Sequence, residues 1–213
     1  MKRVFLGGSF DPVHDGHLGM VRAVARHLAS LGKPYEIDFL PTAGNPFKGT
    51  PTDPTHRLAM LDLACEILKS ENIFAQICPL EIHQTPPVYT IDTVKYFNEK
   101  YPNDTLIFVM GGDSLASLHL WKNFEEIFNF VKIWAFARVG ATREIDEQIK
   151  NQLSDDFGDF TDGQKSIFYD TTPIVAVSSS QIRTALANGE AVPHLPTPIL
   201  TYIKHHQLYK TVL

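Results

Sequence analysis

Twice in this chain a short apolar run ends in paired glycines and passes directly into polar residues. The first is Val4-Phe5-Leu6-Gly7-Gly8, followed by Ser9-Phe10-Asp11-Pro12-Val13-His14-Asp15-Gly16-His17. The second is the run from Thr105 to Met110, followed by Gly111, Gly112 and Asp113. Short apolar runs bounded by glycine read as buried strands. After the first, the period changes. From His17 onward Val21, Val24, Leu28 and Leu31 recur at helical spacing, and Gly32 is placed to end that helix. Buried strands that alternate with amphipathic helices are covered by stacking the helices on a mostly parallel sheet with right-handed crossovers.

The rest of the chain keeps that rhythm. "YEIDFLP" alternates like a second strand and is closed by Pro41. Asp53-Pro54 has the form of a helix cap followed by proline at the first helical position, and Leu58, Leu61, Cys65 and Leu68 give that helix an apolar face. "NIFAQI" predicts a third strand, residues 91–100 a helix, and "VKIWAFAR" a fifth strand after the one at 105–110. Residues 141–165 are polar, mostly acidic and partly helical, and read as a solvated excursion. "SIFYDTTPIVAV" predicts further strand. Ser178 and Gln181 have capping-box spacing for the helix that follows, Asn188-Gly189 suits its end, and a last helix is predicted over 198–206. No linker or repeat interrupts the pattern. The expectation is one α/β domain over residues 1–213, doubly wound and mostly parallel.

Composition narrows the function classes. A formal net charge of -5 without a basic block disfavours a nucleic-acid partner held by phosphate contacts. Only Val4-Phe5-Leu6 stands between the charged Lys2-Arg3 and Gly7, too short for a signal segment, and no run reaches membrane-spanning length. Two cysteines, Cys65 and Cys78, form no framework and suit a reducing compartment. The expected location is the cytoplasm, with no membrane partner. The sequence leaves the oligomeric state open, a homo-oligomer included.

In an open parallel sheet, ligands bind beyond the carboxyl ends of the strands. The unusual polar residues fall at those ends: 7–17, 45–48, 111–113, Arg138 and 178–180. Gly7 and Gly8 let backbone approach a ligand, and the helix start that follows favours anions. His14 and His17, three apart, can donate to phosphate oxygens from one side. Alternatives stay open from these residues alone. A plain strand-to-helix turn explains the glycines as well as a phosphate cradle does. A zinc pair lacks its third and fourth ligands nearby. GxGxxG is absent here, and "GNPFKGT" is not a Walker loop. Taken alone, "SSSQIR" reads better as a capped helix with an exposed Arg183 than as a phosphate site.

Taken together, "GGSFDPVHDGH" and "SSSQIR" resemble the two end signatures of the nucleotidylyltransferase superfamily, the first being HxGH. "HRLAML", "PPVYTIDTV", "FVMGGDSLASLHLWKNFEEI" and "LPTPILTYIKHHQLY" narrow the resemblance, nearly end to end, to bacterial nicotinate-mononucleotide adenylyltransferases. That resemblance implies a Rossmann-like α/β fold. It also implies a reaction in which the phosphate of nicotinate mononucleotide attacks the α-phosphorus of ATP, giving deamido-NAD and pyrophosphate. By resemblance, His14, His17, Arg183 and Lys48 are catalytic. Gly8, Ser9, Phe10, Gly111, Asp113, Ser178 and Ser179 bind ATP, with Asp113 on ribose hydroxyls. Trp121 stacks on the pyridine, Tyr89 and Thr90 reach its carboxylate, and Arg138 binds the mononucleotide. No protein metal site is implied. Magnesium (Mg2+) is the implied cofactor, bridging ATP oxygens. The competing readings are the same chemistry with nicotinamide mononucleotide or phosphopantetheine as acceptor, and a nucleotide-binding module without catalysis. The last predicts erosion of His14, His17 or Arg183, and all three are present.

Overall fold

The computed structural model describes residues 1–44, 49–137, 145–163 and 165–210. Its centre is a seven-stranded sheet. The strands are β1 (Lys2–Gly8), β2 (Tyr35–Pro41), β3 (Gln76–Ile77), β4 (Thr105–Gly111), β5 (Lys132–Phe136), β6 (Leu153–Ser154) and β7 (Ile167–Asp170). Their order is β3-β2-β1-β4-β5-β7-β6, and every pair is parallel. The helices are α1 (Asp15–Ser30), α2 (Pro54–Ser70), α3 (Thr90–Lys100), α4 (Gly112–Ala116), α5 (Phe124–Ile127), α6 (Glu147–Lys150), α7 (Phe157–Asp162), α8 (Ser179–Ala187) and α9 (Thr197–His205). This is the doubly wound α/β fold expected from the sequence.

Strand periodicity divides the core. Successive side chains point to opposite faces of a sheet. Val4 and Leu6 of β1 therefore join Ile107 and Val109 of β4 against α1, α2, α8 and α9. Phe5 joins Leu106, Phe108 and Met110 on the other face, against α3 to α6. There Phe5 stacks on Phe97 of α3, with ring centroids 4.0 Å apart. Each buried ring stabilises the fold by about 2 kcal/mol, and Phe5→Ala would cost about 3–5 kcal/mol.

The β1–β4 register pairs Leu6 with Val109, which brings both glycine pairs to adjacent strand ends. The crossovers from β1 and β4 leave in opposite directions there, the switch point where a doubly wound sheet opens a crevice.

Several local expectations are corrected. Helix α1 begins at Asp15, two residues before His17. Helix α2 has the expected cap, Asp53 accepting from the Thr55 amide at 2.8 Å. Its buried face, however, is Arg57, Met60, Leu61, Ala64 and Leu68, with Leu58 and Cys65 only partly covered. The third strand shrinks to two residues because, of the predicted run 72–77, Gln76 and Ile77 alone pair with β2. "SIFYD" ends as a strand at Asp170 and the chain runs on irregularly to α8. The described part of 141–165 is more than a solvated excursion. It supplies edge strand β6 and two wholly buried anchors, Ile149 and Phe160.

Candidate active site

A cleft of about 870 Å³ opens at the carboxyl ends of β1 and β4. Gly7 admits no side chain, since a Cβ there would lie 2.3 Å from the Phe108 ring. The loop after β1 turns through Phe10, whose φ of 49° is left-handed. That conformation costs a non-glycine residue about 1–2 kcal/mol. Burial of the ring, which is 1% exposed, offsets it. The ring meets Phe39 edge-on at 5.4 Å and His17 at 5.0 Å, so it forms the floor beneath that histidine.

His14 caps α1 and is 4% exposed, its ring stacked on that of His17 at 3.8 Å. The His14 backbone N–H donates to Nδ1 of His17 at 3.3 Å. An accepting Nδ1 leaves the ring proton on Nε2, so neutral His17 presents Nε2–H as its donor. Gly16, between the two histidines, is tightly packed. A Cβ there would stand 3.0 Å from the His14 ring and 3.2 Å from the Val175 carbonyl oxygen.

The two end signatures meet here. Ser179 Oγ donates to the carbonyl of Pro12 at 2.9 Å, and Arg183 Nη1 to that of Asp11 at 2.7 Å. Ser178 is the cap of α8, accepting from the Gln181 amide at 3.2 Å while the Gln181 side chain accepts from the Ser178 N–H. The Ser178 and Ser179 hydroxyls are thus engaged within the protein. What this end of α8 offers an anion is the first-turn backbone N–H groups of Ser179 and Ser180, outside the capping box, and the Arg183 guanidinium.

Two buried residues that the sequence reading passed over hold these loops. Asp11, 5% exposed, accepts from the Thr52 amide at 3.1 Å and from the Tyr209 hydroxyl at 2.6 Å. Arg57, with no exposed surface, donates to the carbonyls of Thr52 (2.8 Å), Ser9 (2.9 Å) and Thr42 (2.7 Å). Burial lowers the affinity of its guanidinium for the proton, and Asp11 partly compensates. Arg57 had a legible signal, since it stands four, seven and eleven residues before Leu61, Ala64 and Leu68 on the apolar stripe. Asp11 and Tyr209 had none, because their partners are far away in sequence.

The opposite wall carries the second group. Tyr89 caps α3 and Thr90 begins it. Trp121 follows a 3-10 turn at Leu118–Leu120 and meets Phe108 edge-on at 6.4 Å. Lys122 lies 4.4 Å above the Tyr89 ring and pairs with Asp92 at 3.3 Å. Glu81, 6% exposed, accepts from Thr93 Oγ1 at 2.6 Å. Burial raises its pKa above the ordinary glutamate range, opposed by the Thr93 and Thr42 hydroxyls.

His14, His17 and Arg183 line this one cleft together with Gly8, Ser9, Phe10, Gly111, Asp113, Ser178, Ser179, Tyr89, Thr90 and Trp121. Asp113 sits in the first turn of α4, where Gly111 is the capping residue. Lys48 and Arg138 lie outside the described residues.

The cytidylyltransferase-like family model matches residues 5–185. A protein of Idiomarina loihiensis named "Probable nicotinate-nucleotide adenylyltransferase" is 32% identical over 98% of this chain and 100% of its own length. Another of that name, from Herminiimonas arsenicoxydans, is 33% identical over 97% of this chain and 95% of its own. Among solved structures, Plasmodium falciparum nicotinic acid mononucleotide adenylyltransferase complexed with NaAD superposes with a TM-score of 0.73 at 20% identity. That match covers 98% of this chain and 97% of the other. The chain belongs to the cytidylyltransferase-like family. Within it, the full-length relatives place it among the nicotinate-nucleotide adenylyltransferases.

Proposed function

We propose that this chain transfers the adenylyl group of ATP to nicotinate mononucleotide, releasing pyrophosphate and forming deamido-NAD in NAD biosynthesis. The observation that carries the reading is the junction of the chain's two distant signatures. Arg183 and Ser179 are bonded to the Asp11-Pro12 turn, so histidines, α8 and the glycine loop address one ligand.

The chemistry follows from the donor set. The mononucleotide phosphate is already an anion, so the attack on the α-phosphorus needs alignment and charge stabilisation more than a base. His17 supplies its Nε2 proton to a non-bridging oxygen of the pentavalent state, and His14 lies stacked beside it. Arg183 and the α8 amides hold the departing pyrophosphate. A preorganised donor of this kind is worth about 10²–10³ in turnover. Trp121 offers its ring to the pyridine, with Tyr89 and Thr90 beside it, and Asp113 takes ribose hydroxyls. The acidic side chains lining the cleft, Asp11, Glu81 and Asp113, come from three separate segments. Both Asp11 oxygens are already bonded within the protein, so the residues that would approach magnesium are Glu81 and Asp113; the ion would come chiefly with ATP and would neutralise phosphate charge. Lys48 and Arg138 complete the mononucleotide's cationic partners.

Pyrophosphate release tests the reading, with ATP and a panel of nicotinate mononucleotide, nicotinamide mononucleotide and phosphopantetheine. Release is expected with nicotinate mononucleotide foremost. Release with phosphopantetheine alone would reassign the acceptor, and release with none would favour a binding module.

A further inference from the structure

Beyond α9 the chain bends back toward the site. Gln207 and Tyr209 both take left-handed φ values, 55° and 61°. Leu208 and Tyr209 pack against the α1 and α2 side of the core. The bend delivers the Tyr209 hydroxyl to Asp11, 198 residues away in sequence, where it donates to Oδ1 at 2.6 Å. The other carboxylate oxygen, Oδ2, accepts from the Thr52 amide at 3.1 Å. Arg183 Nη1 stands 4.0 Å from that same Oδ2, yet bonds to the Asp11 main-chain carbonyl at 2.7 Å. A buried carboxylate with one donor fewer would gain most by turning to the guanidinium, since a charge-assisted pair is the strongest bond open to it.

We infer that Tyr209 is a positioning residue for adenylyl transfer: its hydroxyl holds the Asp11 carboxylate back from Arg183, so the guanidinium stays directed at ATP phosphates. The inference rests on the reading of the site under Proposed function. Burial and the Asp11 carboxylate both push the Tyr209 phenol well above its ordinary range, so it remains a proton donor throughout the working pH range. The segment after α9 is thereby part of the phosphate end of the site, although Tyr209 touches no reacting atom.

Tyr209→Phe keeps the ring and removes only the donor. Its expected effect is a rise of about ten-fold in the Kd for ATP. The KM for nicotinate mononucleotide should stay within about two-fold, and the melting temperature should stay close to that of the unaltered enzyme. Tyr202→Phe is the control for a merely structural role. It removes another hydroxyl of the same chain end, one bonded to His56 Nδ1 at 2.9 Å, with no link to Asp11. ATP affinity in that variant should match the unaltered enzyme. Weaker ATP binding in Tyr209→Phe alone supports the positioning role. Equal effects of the two variants, equal loss of both substrates, or an unchanged Kd for ATP would each overturn it. An unaltered enzyme that neither binds ATP nor releases pyrophosphate would instead overturn the adenylyl-transfer reading, and the role of Tyr209 with it.

Discussion

Arg57, wholly buried on α2, donates to the carbonyl oxygen of Ser9 at 2.9 Å and so fixes the loop of the first glycine pair from beneath. The same Nη1 also reaches Thr42, and Nε reaches Thr52. One buried side chain therefore donates to three part-buried carbonyls from the two loops that flank the cleft.

Arg57→Met is expected to destabilise the protein by about 3 kcal/mol, because it removes the donor shared by three part-buried carbonyls. Arg57→Lys should recover part of the loss, since an ammonium can still donate to one or two of them. Urea denaturation of both variants checks this. A midpoint for Arg57→Met equal to that of the unaltered protein would remove Arg57 from its structural role.

His17→Ala should lower turnover by about 10²–10³ while the fold survives. The ring is part-exposed, and its removal leaves the Phe10 floor and the α1 amides in place. Steady-state rates with a thermal melt on the same sample measure both. Near-normal turnover would end the case for Nε2 as a phosphate donor.

Trp121→Ala should raise the KM for the mononucleotide by about ten-fold, the scale of a lost stacking contact. The KM for ATP should stay nearly constant, because Trp121 stands on the wall opposite α8. A matched rise for both substrates would assign Trp121 to packing against Phe108 alone.

The pH dependence of stability has a definite sign at Asp38. Burial on β2 pushes its carboxyl from 3.8 up to about 6, with Gln76 opposing. A raised acid costs nothing below its unfolded pKa and its full penalty above its folded one. Stability attributable to Asp38 should therefore fall as pH climbs from about 4 to about 6 and level off above that. In Asp38→Asn this fall should vanish. Melting temperatures of both proteins across that window decide it, and parallel curves would contradict the assignment.

The alternation of strands and helices was legible because it is written in local periodicity. Both glycine pairs announced the edge of the sheet where the cleft lies. The capping residues Asp53 and Ser178 were equally local. What escaped was carried by distance or by dilution. Ile149 and Phe160 lie in a mostly acidic stretch, where charge masks the helical spacing of Ile145, Ile149, Leu153, Phe157 and Phe160, yet both are wholly buried. Asp11 looked like a turn residue, yet its partners are Thr52, Arg183 and Tyr209. No window of sequence contains that cluster. The third strand was overdrawn because apolar content alone does not supply pairing, and Phe74 is in fact 73% exposed.

The central claim is direct transfer of an adenylyl group between two bound nucleotides. A single-turnover reaction with ATP labelled at the α-phosphorus and an excess of nicotinate mononucleotide tests it most directly. Direct in-line transfer predicts that all transferred label appears in deamido-NAD, with unlabelled pyrophosphate released in equal amount and none bound to protein. Label retained on the denatured protein, or label released only as AMP, would contradict it.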